Sequence, residues 1–204
     1  MPRAGLSRDA VVAEALRVAD EVGLDRLTLA AVAQRCGVRL PSLYKHVAGL
    51  PALHAHAAAA AERELAAELS AATVGRAGED ALLALAEAYR GYARRRPGAY
   101  AATLRAPAGE GDTSAGAADH RAAAHEVMGV VLSALAGFGL SGEDAVDAVR
   151  GLRSLLHGFA ALEAAGGFAL PQDLDRSYRR LVRSHGEVLR SWSSAPGPAP
   201  DPVR

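Results

Sequence analysis

The sequence predicts an all-α protein, with an N-terminal three-helix helix-turn-helix domain joined to a larger helical domain. Three observations carry that prediction. Half of the 204 residues are apolar but only 4% are aromatic, so the core must be built from Ala, Leu and Val. Alanine on this scale favours helix, and the β-branched and aromatic runs that make strands are absent. Apolar residues recur at three- and four-residue spacing in one segment after another. A chain of this length buries a sizeable core in one or two domains. The segments divide it into a head at 1–50, a helical body at 51–193 and a tail at 194–204 whose Pro-rich composition predicts disorder.

Residues 1–6 read as a loose arm, with Arg3 and Arg8 available to a phosphate or to solvent. Ser7 caps a first helix that runs to about Gly23 on the stripe Val11, Ala15, Val18, Ala19 and Val22. Thr28 is a second N-cap, because its hydroxyl can satisfy backbone N–H groups left over at a helix start. Leu29, Val32 and Ala33 form one short stripe behind it, and Gly37 suits a left-handed residue ending that helix. Val38 plugs back toward the core. Pro41 fits the first turn of a new helix, where its missing N–H costs little. Leu43 and Val47 face inward on that helix, which leaves Ser42, Tyr44, Lys45 and His46 facing out. The pattern is short helix, tight turn, short helix.

Charge supports the same reading. The whole chain balances 23 basic against 23 acidic residues. Between Arg26 and Val47 the charges are Arg26, Arg35, Arg39 and Lys45, with no acid, which is a pattern a phosphate backbone rewards. The expected DNA contacts are Thr28, Arg39, Leu40, Pro41, Ser42, Tyr44, Lys45 and His46. Arginine can fork onto guanine, while Ser, Tyr and Lys can hold phosphates.

At these residues the chain resembles the TetR family of bacterial transcriptional regulators. The resemblance rests on Leu-Thr-Leu-x-x-Val-Ala at 27–33, Cys-Gly-Val at 36–38, Ser-Leu-Tyr-Lys-His-Val at 42–47 and Leu53, and covers roughly residues 8–56. Val47 stands where an aromatic is usual, and Leu50-Pro51 where many members have Lys-Glu.

Pro51 opens a long helix, about 51–73, on Leu53, Ala57, Ala60, Ala61, Leu65 and Leu69. After the break at Val74–Gly78 a helix over about 79–95 carries Leu82, Leu85, Ala86 and Tyr89, with Tyr92 alongside. Pro97-Gly98 punctuates, and a short helix over about 99–105 carries Tyr100 and Leu104. Residues 106–117, APAGEGDTSAGA, read as a loop that either varies freely or gates a cavity. A helix over about 118–136 presents Val127, Met128, Val131, Leu132 and Leu135. Ser141 with Asp144 predicts a capping box for the next helix, about 142–166.

That helix has two apolar faces. One is Val149, Leu152, Leu156 and Phe159; the other is a small-residue seam of Ala148, Gly151, Leu155, Gly158, Leu162 and Ala165. A helix lined on two sides must bury both, so one face closes the core and the other meets a partner. The last helix, about 173–193, carries Leu174, Tyr178, Leu181, Val188 and Trp192. The two final helices read as half of a four-helix bundle completed by a second copy. The expected homodimer interface is Gly151, Leu155, Gly158, Leu162, Leu181, Val188 and Trp192.

The Leu155–Glu163 segment, with His157-Gly158, is similar to the WHG-type C-terminal domain of some TetR-family proteins. This resemblance implies an effector-binding and dimerisation domain. The effector site it implies would be lined by Tyr89, Tyr92, Tyr100, Leu104, Met128, Leu132, Leu156, His157 and Phe159. The family's usual function implies a regulator of transcription, a repressor released from a quasi-palindromic operator by an unknown small molecule and acting in the bacterial cytoplasm. The alternatives are a protein-interaction module, a ligand-independent regulator, or an enzyme.

Other chemistry finds little support. The single cysteine, Cys36, excludes an intrachain disulfide and reads as a small residue in a tight turn. His54 and His56 point about 200° apart on a helix, and His120 and His125 are five apart, so no metal is expected. Ser154 and His157 lack a nucleophile elbow, and no phosphate-binding glycine loop is present, so neither catalysis nor a cofactor is expected. No apolar run is long enough to span a bilayer.

Overall fold

The computed structural model describes residues 6–193. Among them it contains nine α-helices and no strand, in agreement with the all-α expectation. The head holds α1 (Arg8–Val22), α2 (Leu29–Arg35) and α3 (Leu40–Leu43). There follow α4 (Leu50–Thr73), α5 (Gly78–Arg95), α6 (Pro97–Ala102), α7 (Ala115–Leu135), α8 (Gly142–Ala164) and α9 (Leu174–Ser193). Short 3₁₀ turns at Leu24–Arg26 and Ala136–Phe138 were not foreseen, because three residues carry no periodicity. The tail at 194–204 and Arg3 lie outside the described residues.

Packing groups the chain into two compact units: Met1–Ala71 with Ala88–Val130, and Ala72–Glu87 with Val131–Arg204. By contact, the three head helices group with most of α4 and all of α6.

The first unit is tied together around Asp20, near the end of α1. One of its carboxylate oxygens accepts from the N–H groups of Gly98 and Ala99, at 2.8 and 2.9 Å, so it caps the start of α6. The other oxygen meets Arg96 Nε at 2.6 Å, and Arg96 also reaches Glu64 of α4 at 2.9 Å. α6 can come this close only because residue 98 is glycine. A Cβ there would lie 2.1 Å from the carbonyl carbon of Ala19. Tyr92 is fully buried beside this cluster, its hydroxyl 3.1 Å from the Ala61 carbonyl and 3.3 Å from Glu64. Burial, and then the Glu64 charge, push its pKa up, so it stays a neutral donor.

The second unit has a separate core. Tyr178 is fully buried, donates to the Ala86 carbonyl at 2.7 Å and packs its ring on Phe159, which also meets Phe168. Val149, Leu152 and Leu156 fill the core from α8, as one of its two faces predicts.

Two details correct the sequence reading of this unit. Ser141 is extended at the N-cap of α8, but its side chain makes no cap hydrogen bond, so the Ser141–Asp144 capping box does not form. On α9 the buried residues are Tyr178, Val182, Gly186 and Leu189; Leu181, Val188 and Trp192 form a separate exposed line. A helix of this length turns three- and four-residue spacings into two neighbouring stripes, and sequence spacing does not say which one the core takes.

Candidate nucleic-acid interface

Local backbone chemistry builds the helix-turn-helix as predicted. Ser7 accepts from Ala10 N–H at 3.1 Å and Thr28 from Ala31 N–H at 3.2 Å, capping α1 and α2. Gly37 takes the left-handed conformation at φ +67°. Its N–H donates to the Gln34 carbonyl and that of Val38 to the Ala33 carbonyl, the double closure of a Schellman turn. Thr28→Ala should cost roughly 1 kcal/mol through the lost cap; a denaturation curve matching the parent would show that the hydroxyl serves only a ligand.

Pro41 stands in the first turn of α3, as expected. The regular α-helix is only Leu40–Leu43, and Tyr44–His46 continue as tighter turns closed by His46 and Val47 N–H on the Leu43 carbonyl. Leu43 and Val47 are buried, which seats the element on the head. Arg39, Pro41, Tyr44 and Lys45 are exposed, Leu40 is 38% exposed, and Ser42 and His46 are half-buried. Tyr44, at 55% exposure, contributes little to the core.

The basic patch is smaller than its charge count. Arg35 pairs with Glu14 at 3.4 Å and Glu21 at 2.7 Å, both on α1, and Arg26 Nε donates to the Val22 carbonyl. These two cations brace the head, which leaves the outward basic character on Arg39 and Lys45. Burial pushes the Cys36 thiol up, so it is no reactive thiolate at neutral pH.

The nine residues implied as an effector lining fall in both units. Tyr89, Tyr92, Tyr100, Leu104 and Met128 belong to the first; Leu132, Leu156, His157 and Phe159 to the second. Tyr89 and Tyr100 meet edge to face with their hydroxyls 3.0 Å apart. Leu156 and Phe159 are core residues, whereas Leu104, Met128 and Leu132 are more than one-third exposed. The first unit also carries two open hollows lined by none of these nine. The larger, about 920 Å³, lies beside His46 and is lined by His54, His56, Arg105 and His120 among others. Sequence reasoning weighed these histidines only as metal ligands. Among the described residues no group of three or more His, Cys, Asp or Glu is placed to hold a metal.

A capped, Schellman-closed helix pair with a polar outer element, carried on an all-helical body, defines a helix-turn-helix DNA-binding transcriptional regulator. Residues 82–185, half the chain, match the family model described as the C-terminal domain of tetracyclin repressor-like proteins. The chain belongs to the TetR family of transcriptional regulators. An HTH-type transcriptional regulator of Mycobacterium tuberculosis, Rv0681, is 40% identical over 163 residues, 80% of this chain and 72% of the relative. The Bacillus subtilis HTH-type transcriptional regulator YobS is 34% identical over 186 residues, 90% of this chain and 92% of the relative. A TetR variant from Acinetobacter baumannii, in complex with minocycline, shares the fold at TM-score 0.68 and 20% identity, over 93% of this chain and 99% of that one. Apo ActR from Streptomyces coelicolor does so at 0.67 and 19%, over 94% and 98%.

Proposed function

We propose that the protein is a homodimeric repressor that binds a quasi-palindromic operator and leaves it when a small molecule binds. The observation that carries this reading is the outer element of the head. Arg39, Ser42, Tyr44, Lys45 and His46 lie along one turn of chain seated by buried Leu43, with Leu40 and Pro41 at its start and Thr28 capping the neighbouring helix. Two such elements would enter successive major grooves about 34–36 Å apart. Repression then follows from occupying the promoter. Release follows only to the extent that the ligand prefers a state with wrongly spaced heads.

Dimerisation is supported by the exposed apolar line on α9 and by Leu162 on α8, which is 52% exposed. Leu155 and Gly158 lie along the same helix, and a Cβ at Gly158 would meet nothing within 4 Å. Gly151 faces the His185 ring, 3.3 Å from a would-be Cβ, so its missing side chain serves the α8–α9 contact. Leu162→Glu with Val188→Glu places charge on this face without entering the core. The double variant should sediment as a monomer where the parent is a dimer; a dimer of unchanged stability would place the interface elsewhere.

The operator is sought by mobility shift on the promoters beside the gene, at low salt. A parent protein that retards no fragment specifically would overturn the regulator reading of this head. An enzyme on this scaffold is disfavoured by the lack of a catalytic constellation in the sequence. The place of action we infer is the bacterial cytoplasm, on the nucleoid when bound. Among the described residues no single helix is long and apolar enough to cross a membrane.

A further inference from the structure

The 920 Å³ hollow of the first unit has a built wall. The segment after α6 has no regular secondary structure up to α7. In the structure Arg121 Nη1 donates to the carbonyls of Ala108, Gly109 and Asp112, at 3.1, 3.2 and 3.0 Å. Asp112 in turn accepts from Ser114 N–H at 2.9 Å, which leads the chain into α7. Arg105, Ala108 and Asp112 of this clasped segment face the hollow together with His120 of α7. The other side is the turn after α3, with His46 and Val47, and the start of α4, with Leu50, Pro51 and His54. A volume of this size suits a small molecule.

The chemistry of the lining leans one way. Arg8 and Arg105 are its cations, and four imidazoles accompany them. Its one carboxylate, Asp112, is spent on the backbone N–H and the hydroxyl of Ser114, which hold it below the usual carboxylate range. The first turn of α7 opens here as well, and a helix start favours negative charge. Two lining imidazoles carry buried nitrogens without a hydrogen-bond partner: His54 Nδ1, and His120 Nε2, which lies 3.6 Å from the carboxylate of Glu62, a residue outside the lining; the orphaned nitrogen that counts toward a ligand is therefore that of His54. Buried polar atoms in native folds are normally paired. Burial, and then the charge of Arg105, hold His54 below its ordinary range, so its ring is neutral and offers both a donor and an acceptor. Arg105 itself has only a loose pairing, 3.8 Å to a fully exposed Asp25 carboxylate, and such surface pairs hold weakly.

We propose that this hollow binds a small organic anion, an apolar body ending in a carboxylate. The carboxylate sits by Arg105 and His54, and the body lies against Val47, Leu50 and Pro51. The occupant presses on the turn that carries His46 and draws Arg105 from Asp25, which lies between α1 and α2. Occupancy is thereby coupled to the head, and by reciprocity operator DNA changes the anion's affinity by the same factor. The site deepens the ligand-released reading but is measured without DNA, so the two can fail separately.

The test titrates the full DNA-free chain with octanoate by calorimetry and follows the histidine rings by NMR; octan-1-ol and octylamine are the length-matched controls. Octanoate should bind saturably, one per chain, and shift the His54 ring. The alcohol and the amine should bind at least tenfold more weakly. Arg105→Met should weaken octanoate at least tenfold. Ala108→Trp, at an exposed loop position, should block it while leaving the thermal midpoint unchanged. Unsaturable octanoate, equal binding of either control, or unchanged affinity in Arg105→Met would each overturn the proposal. An operator shift missing in the parent protein would instead overturn the regulator reading and leave this titration standing.

Discussion

Replacing Gly98 by alanine is expected to be the most damaging single-methyl change in the first unit. The new Cβ would lie 2.1, 2.2 and 2.3 Å from the Ala19 carbonyl carbon, its oxygen and the Asp20 nitrogen. All three are helix backbone, so no flexible side chain can yield. Alanine gains roughly 1 kcal/mol of helix propensity over glycine, but overpacking against a rigid wall costs up to about 3 kcal/mol. The clash therefore wins. Relieving it moves α6 away from α1 and stretches the Gly98 and Ala99 N–H groups off Asp20. Chemical denaturation should show a loss of about 1–2 kcal/mol, and the thermal midpoint should fall by roughly 2–8 °C. Asp20→Ala should destabilise in the same direction by removing the acceptor, and Asp20→Asn less, because an amide oxygen can still cap α6. A Gly98→Ala protein as stable as the parent would mean that α1 and α6 are not in this register.

The double change Tyr44→Ala with Lys45→Ala should abolish the operator shift and leave the fold alone. Both side chains are exposed, and the turn is seated by buried Leu43 and Val47, which remain. Removing two polar contacts to DNA at about 1–2 kcal/mol each weakens binding by roughly 30- to 1,000-fold. Loss of the lysine charge should also lower the salt slope of log K by about 1. The control is an unchanged melting curve. Retained specific binding with a normal salt slope would move the reading surface elsewhere on the head.

The candidate site was legible where its causes are local. Thr28 caps α2 through a bond to the residue three positions on. Gly37 closes the turn through carbonyls three and five residues back from their donors. Pro41 and the inward pair Leu43 and Val47 follow from single-turn geometry. These need only short-range sterics and hydrogen bonding, and a sequence window contains both.

Charge was harder to read. The stretch from 26 to 47 carries four basic residues and no acid, a pattern that suits a phosphate backbone. Arg35 instead answers Glu14 and Glu21 on another helix, and nothing within the stretch announces that partnership. α9 failed for a related reason. Its apolar residues fall on two adjacent stripes, and only the position of Tyr178 against Phe159 decides which stripe is core.

By itself, then, the sequence determined the helical class, the family and the make-up of the reading head, because propensity, capping and spacing act over a few residues at a time. Tertiary structure alone decided that Asp20 caps a helix 78 positions away, that Gly98 is a point of backbone contact and that scattered histidines share one hollow. Those arrangements depend on which faces meet once the chain is compact. Residues far apart in sequence acquire joint chemistry only when packing brings them within a few ångströms.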